Sequence, residues 1–330
     1  MNIRFTTLVA AGFLLVDLAS ADALMDRDNG PLTGLFGFPD SSEGGRLEAA
    51  GEQSWGVNLV TSSHSSMDTN GGESILLDGE TNRIGITYRR GIGERLELGI
   101  EIPYVLHESG NLDSFIDQWH GMFGLPDGIR DERAKDQLLF SYEDSSRQLI
   151  MNRNASGVGD VRLLAGWQLA TRASGITALR FGIKLPTGDS ERLLGSGGTD
   201  VSIGIAADHA GLWGGLWGVR KLDGFYRANA TFLGRPDILA HRSNKVVGQV
   251  SAGLGYRVSA RTSIALQALL RSPVYDSGVA SLGDVAAALT MGIRFRLSEN
   301  YRLSLAVVED VHVESLPDVT FVLSLHAGAR

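Results

Sequence analysis

Hydrophobic and polar positions alternate along most of the chain, in about twelve separate stretches. Residues 95–104, RLELGIEIPY, show the beat most plainly. Leu96, Leu98, Ile100, Ile102 and Tyr104 fall on one parity; Arg95, Glu97, Gly99 and Glu101 fall on the other. Successive side chains of a strand face opposite sides, so each stretch predicts a two-faced β-strand. The pattern places strands at 51–61, 80–90, 95–106, 157–171, 175–186, 199–209, 224–233, 245–258, 261–272, 283–297, 301–310 and 318–327. These lengths approach the ~9–11 residues that a tilted strand needs to cross a bilayer's hydrocarbon layer.

The connections have their own rhythm. Short ones at 91–94, 172–174, 259–260 and 298–300 alternate with longer ones at 62–79, 107–156, 187–198, 234–244, 273–282 and 311–317. Short periplasmic turns alternating with longer outer loops, joining an even number of strands, describe a transmembrane antiparallel β-barrel. This arrangement puts both termini on the periplasmic side. The stretch 210–223, with its doubled GLWGGLWG, is too long for a short turn. Read as an extended hairpin, it raises the count from twelve to fourteen.

A soluble all-β fold is the competing reading. Against it stands the long apolar face of Val285, Ala287, Leu289, Met291, Ile293, Phe295 and Leu297. The opposite faces carry Gly, Ala, Ser and Arg, and there are only four lysines: Lys135, Lys184, Lys221 and Lys245. Tyr88, Tyr104, Tyr256, Phe295 and Tyr301 lie at or near strand ends, where interfacial girdles form. Glycine numbers 42 and proline 8, which suits small lumen-facing positions and tight strand crossings more than disorder.

The first residues read as a secretory signal. Arg4 is followed by a mostly apolar run over 5–18, and Ala21-Asp22-Ala23 offers small residues for cleavage after Ala23. The domain reading is therefore a signal at 1–23, a periplasmic N-terminal segment and candidate plug at 24–50, and the barrel at 51–330. With no Cys in the chain, the exported fold relies on packing and on its hydrogen-bond ladder. A net charge of −8 argues against nucleic acid as a partner.

Residues 113–130, DSFIDQWHGMFGLPDGIR, with IPYVLHESGNL before them and SGVGDVRLLAGWQL after, resemble domain-of-unknown-function family 3187 of Gram-negative bacteria. The resemblance runs from Pro31 to about Leu325. LPTGD at 185–189 and GSGGTD at 195–200 are also similar to the meta-pathway phenol-degradation outer-membrane proteins. Both resemblances imply an outer-membrane barrel. Neither carries over a functional residue, and the second is the pointer to an aromatic substrate. Such barrels commonly end in an aromatic residue, whereas this chain ends His326-Ala327-Gly328-Ala329-Arg330, with Phe321 the nearest aromatic.

Parity also picks out inward positions. Lumen-lining candidates are Arg83, Glu97, Glu101, Asp160, Arg162, Arg180, Lys184, Arg227, Arg257, Arg294, Arg296 and Arg302. Arginine excess suits a lumen that attracts anions; paired guanidinium and carboxylate groups bracing opposite walls are the structural reading. In the long loop 107–156, Leu112, Phe115, Ile116 and Trp119 follow helical spacing, with Asn111 as N-cap and Gly121 as stop. Phe115, Ile116, Trp119, His120 and Phe123 are candidates for a lid over the lumen. His120 has no second ligand at metal spacing, and Asp68, Asp78 and Glu80 read as a solvated acidic loop. No metal or cofactor is expected. Asp200 and Ser202 share a parity that His209 does not, which disfavours a catalytic triad.

The sequence thus predicts a channel for passive transport of a small molecule, amphipathic or aromatic, and not an enzyme. A non-conducting surface barrel and a rim-located hydrolase are the alternatives. The expected surroundings are outer-membrane lipid and lipopolysaccharide, with the barrel-assembly machinery and a small-molecule substrate as partners.

Overall fold

The computed structural model describes residues 23–123, 134–172, 175–211, 222–311 and 315–328. Among them are fifteen strands: β1 Gln53–Asn70, β2 Glu73–Ile92, β3 Leu96–Glu108, β4 Leu139–Glu143, β5 Gln148–Met151, β6 Ala155–Val158, β7 Arg162–Arg172, β8 Gly175–Lys184, β9 Asp200–His209, β10 Leu222–Phe232, β11 Val246–Arg257, β12 Thr262–Arg271, β13 Ala286–Arg296, β14 Tyr301–Asp310 and β15 Val319–Gly328. Two helices accompany them, α1 Asp113–Phe123 and α2 Ala280–Gly283.

Twelve strands form a closed antiparallel ring in the order β1, β2, β3, then β7 through β15, and back to β1. The seam is a full ladder from Ser54 opposite Gly328 to Ser63 opposite Val319. Closure is what a lipid-embedded sheet requires, because an open edge would leave N–H and C=O groups unpaired in hydrocarbon. No described helix is long and apolar enough to cross a membrane. The outward parity is apolar and exposed, as at Leu98, Ile102 and Tyr104 on β3, while Glu97 and Glu101 between them are buried. Trp55 and Tyr88 pair at the short-turn end of β1 and β2, with ring centroids 4.5 Å apart. Tyr256 and Tyr301 lie at that same end, in an interfacial row.

Three predicted features change. The expected loop 62–79 continues β1 and β2, which run 18 and 20 residues and turn only at Gly71-Gly72, both at positive φ. Its sequence lacks the apolar beat because this part of the hairpin projects beyond the apolar belt. The single strand predicted at 157–171 is two, β6 and β7; between them Gly159 donates its N–H to Pro103 O at 2.9 Å and Val161 donates to Thr187 Oγ1 at 2.9 Å. Helix α1 begins at Asp113 and passes through Gly121, so Asn111 is not its cap and Gly121 is not its stop. The stretch proposed to raise the count to fourteen falls mostly on 212–221, outside the described residues.

At the long-loop end, β4 and β5 extend the sheet beside the β2 projection. Phe140 and Tyr142 of β4 are fully buried there. The β4–β5 turn is held by Asp144, which accepts from His241 Nε2 at 2.7 Å, Tyr142 Oη at 3.1 Å and the Ser146 N–H at 2.7 Å. Arg242 adds a bridge to Glu73 at 3.1 Å. The His241 hydrogen bond, with help from the Ser146 and Arg147 groups, holds the Asp144 carboxyl well below the usual carboxylate range. A depressed carboxyl stabilises the folded state above its unfolded pKa, and the contribution fades only as pH falls through the lower folded value. The 134–156 segment should therefore resist protease equally at pH 7 and pH 5. Asp144→Ala, which strands its donors, should open the segment to cleavage at both pH values by removing ~1–3 kcal/mol of local stability. Limited proteolysis of the folded protein measures this.

Candidate functional site: the occupied lumen

A ring of eight strands is filled by its own side chains, and wider rings enclose space. In this ring of twelve, residues 23–50 fill it. The segment leaves the wall beside Gly91 at the short-turn end, where Ala50 bridges that residue. It climbs past Glu97, Arg180, Ser251 and Asp200, turns at residues 31–35, and descends to Leu24. Its two legs are tied by Ser41 Oγ donating to Asp26 and by Arg27 with Asp40 at 3.4 Å. Gln267 on β12 grips the end of the descending leg, accepting from Leu24 N at 2.9 Å and donating to Leu24 O at 3.0 Å.

The middle layer is ionic. Glu101 accepts from Arg27 at 2.9 Å, Arg83 at 3.0 Å and Arg162 at 2.8 Å. Glu97 accepts from Arg89 at 3.0 Å, Arg180 at 2.6 Å and the Glu48 N–H at 2.7 Å. Glu43 lies 2.9 Å from Arg162 and 3.8 Å from Arg89. Arg271 meets Asp28 at 2.6 Å. A buried charge stripped of its partner costs ~3–5 kcal/mol, so these contacts hold the plug and wall to one another. Arg227 pairs with Asp208 at 2.5 Å and donates to Ser41 O at 3.2 Å.

Above this layer, Lys184 is held by Asp160 at 2.5 Å, Asp200 at 3.4 Å, Ser196 Oγ at 2.7 Å and Gly198 O at 2.7 Å. These residues belong to or adjoin the LPTGD and GSGGTD motifs. Asp160 also accepts the Gly188 N–H, and Asp200 accepts the plug's Gly37 N–H at 2.9 Å. The Gly/Asp motif that hinted at an aromatic cargo is thus engaged with the plug. At the long-loop end, Leu32, Phe36 and Phe38 of the plug join Ile75, Phe140, Tyr142 and Tyr275 in one apolar core. Phe36 stacks edge-on to Tyr275 at 5.9 Å. At the short-turn end a cavity of about 130 Å³ remains, lined in part by Asn58, Arg294, Arg302 and Ser304.

The structure distributes the candidates from the sequence as follows. Glu97, Glu101, Asp160, Arg162, Arg180, Lys184 and Arg227 are buried in the interior, with Arg83 nearly so. Arg294 and Arg302 face the remaining cavity. Arg257 is half exposed and paired with Asp223 at 3.2 Å, and Arg296 is exposed at the short-turn rim. Helix α1 is seated on the outside of the wall rather than across the mouth. Phe115 packs at 5.7 Å on Phe321, which shares the outward parity of Leu323 and Leu325, and the turn before α1 donates two N–H groups to outward-facing Glu80. Ile116 is fully buried. The side chains of Trp119, His120 and Phe123 lie outside the described residues.

Phe321 is at the long-loop end of β15, remote from the strand's C-terminal end. Asp68 and Glu80 are occupied by backbone N–H groups, and no cluster of three metal-ligating side chains occurs among the described residues. Asp200 binds Lys184 while His209 stacks on Tyr226 at the other end of β9, so no triad forms. Sequence reasoning missed Arg89, which shares the parity of Arg83, and the plug's own Asp28, Asp40 and Glu43. The signal was available: residues 23–50 hold five carboxylates against two arginines, complementary to the wall.

Residues 23–328 match the family described as Protein of unknown function (DUF3187). The chain belongs to this family. No curated protein matches it. Among solved structures, the COG4313 outer membrane channel from Pseudomonas putida F1 is similar in fold, with a TM-score of 0.56 at 14% identity over 89% of this chain and 100% of that one. The NanC porin gives 0.46 at 8% identity over 84% and 99%. The toluene transporter TbuX of Ralstonia pickettii gives 0.39 at 11% over 92% and 99%. The fold of this DUF3187 chain is that of an outer-membrane β-barrel.

The plug's seat is tight at Gly37, where a Cβ would lie 2.9 Å from Lys184 Cβ and 3.2 Å from Asp200 Cβ. Gly37→Leu should unseat the plug by ~1–3 kcal/mol without opening the ring. Trypsin should then cut at Arg46 in the variant and spare it in the parent, while both retain the heat-modifiable gel migration of a closed barrel.

Proposed function

We propose that this DUF3187 protein is an outer-membrane conduit for a small solute, held shut in the present state by residues 23–50. The observation that carries the reading is the plug itself: a segment, residues 23–50, that fills the lumen and joins the wall beside Gly91. The chain has no cysteine, so hydrogen bonds, ion pairs and apolar packing alone seat it, and each of these is reversible. A purely structural barrel has no need of a lumen wide enough to take a folded-back segment. The apolar outer belt supports an outer-membrane location, and the fold shared with an outer-membrane channel supports the conduit.

One observation favours a second reading, a sealed barrel that displays its loops: the apolar core at the long-loop end closes the mouth above the plug. A removable lock separates the two. Ser41 Oγ and Ser251 Oγ are 2.6 Å apart, on plug and wall, which brings the two Cβ atoms into the range that a disulfide spans. In planar bilayers, the double variant Ser41→Cys, Ser251→Cys should be silent when oxidised and show discrete conductance steps when reduced. Equal conductance in both states would mean that the plug does not gate. Silence in both, from protein with heat-modifiable migration, would favour the sealed barrel.

A further inference from the structure

Two of the plug's carboxylates, Glu43 and Asp28, meet arginines of the wall. Within the middle layer the wall supplies Arg83, Arg89, Arg162 and Arg180 against only two of its own carboxylates, Glu97 and Glu101. The plug makes up the deficit with Glu43, set between Arg162 at 2.9 Å and Arg89 at 3.8 Å. Asp28 does the same for wall residue Arg271 at 2.6 Å. Glu43 and Arg162 are 7% and 2% exposed at the side chain, so neither can fall back on bulk water while in place. The cavity below is lined by two more wall arginines, Arg294 and Arg302.

We infer that the solute is a small carboxylate-bearing anion, which takes the place of Glu43 between Arg162 and Arg89 when the plug withdraws. This inference rests on the conduit reading and gives it a substrate class. A withdrawn plug removes Glu43 and Asp28 and leaves the wall with surplus guanidinium in a low-dielectric channel. Such groups recruit anions, and the planar guanidinium fork matches a carboxylate with two parallel hydrogen bonds. The plug is then a tethered stand-in for the solute: the same clamp that passes the anion holds the channel shut when none is present. Exchange re-pairs Arg162 and Arg89, though not Arg271, and so lowers the barrier that simple withdrawal would face.

The test uses the full-length protein in planar bilayers, with glutarate as the probe and its uncharged diamide as the control. Under a KCl gradient, open channels should give a reversal potential of the sign that marks chloride over potassium. Glutarate at constant ionic strength should reduce the chloride current, and the diamide should not. Glu43→Gln, which takes the carboxylate from the plug, should raise the open fraction. Arg89→Gln, chosen because Arg89 borders the cavity and its wall partner Glu97 keeps Arg180, should weaken the glutarate effect by about tenfold, as loss of one charge-assisted hydrogen bond implies. Potassium preference, equal action of glutarate and diamide, or an unchanged response in Arg89→Gln would each overturn the inference while leaving the conduit standing. If no channel opens, the conduit reading falls. Glutarate binding to the folded protein by calorimetry, lost in Arg89→Gln, would then still support the anion clamp, and its absence would remove that too.

Discussion

Charge pairing across the lumen is the interaction on which the remainder of this structure depends. The wall places several guanidinium groups where water barely reaches them, and a buried cation without a partner is strongly destabilising. Glu97 and Glu101 answer part of that demand from the wall itself. Glu43 and Asp28 answer the rest from residues 23–50. The place of the segment at mid-lumen follows in part from one requirement: Glu43 and Asp28 must each reach a specific arginine of the wall. Arg27 satisfies the reciprocal demand, entering the lumen on the plug to meet Glu101.

A second constraint shapes the wall and is independent of the first. A strand in contact with hydrocarbon pairs all its backbone groups only if the sheet closes on itself. Closure through the β1–β15 ladder fixes the twelve-strand ring, and the two-residue period then divides every strand into a lipid face and a lumen face. The outward set of apolar side chains is therefore set by the membrane, and the inward set is free to be polar. That freedom is what permits so many arginines. It also explains why the hairpin of β1 and β2 keeps its ladder but loses its apolar beat above Thr61: the pairing rule persists where the lipid does not.

These constraints differ in how far they can be read from a sequence. The lipid face repeats every second residue over ten or more positions, so the twelve ring strands and the parity of Glu97, Glu101, Arg162 and Arg180 were legible from composition and spacing. The 301–310 strand coincides with β14 at both ends. Partners were not legible. That Glu43 would meet Arg162 is a fact of three-dimensional closure across more than a hundred residues, and no local period encodes it. Nor was the seat of α1. Its helical spacing was visible, but an apolar helical face fits the outside of a wall as readily as its mouth, and only Phe115 against Phe321 with Glu80 beneath the preceding turn decides between them. The contacts of the Gly/Asp motifs were not legible for a related reason: glycine and aspartate accommodate an approaching backbone whether it belongs to a ligand or, as at Gly37, to the same chain.

The plug is held by two layers that respond to different things. The ionic layer can trade one carboxylate for another with little change in the number of unpaired charges, so a suitable anion weakens its hold. The apolar layer offers no such exchange. Leu32, Phe36 and Phe38 are buried among side chains from β2, β4 and the loop after β12, and exposing each costs ~1.5–3 kcal/mol. Withdrawal of the plug tip therefore needs the long-loop end to rearrange with it, and the tether of Asp144 to His241 and Arg242 stands in the way of that rearrangement. On the proposed conduit reading, the ionic layer decides what is admitted and the apolar layer decides how often. A change to a wall arginine of the ionic layer should alter selectivity more than open fraction. A change confined to the loops should do the reverse, because the two layers share the plug and no wall residue of the clamp.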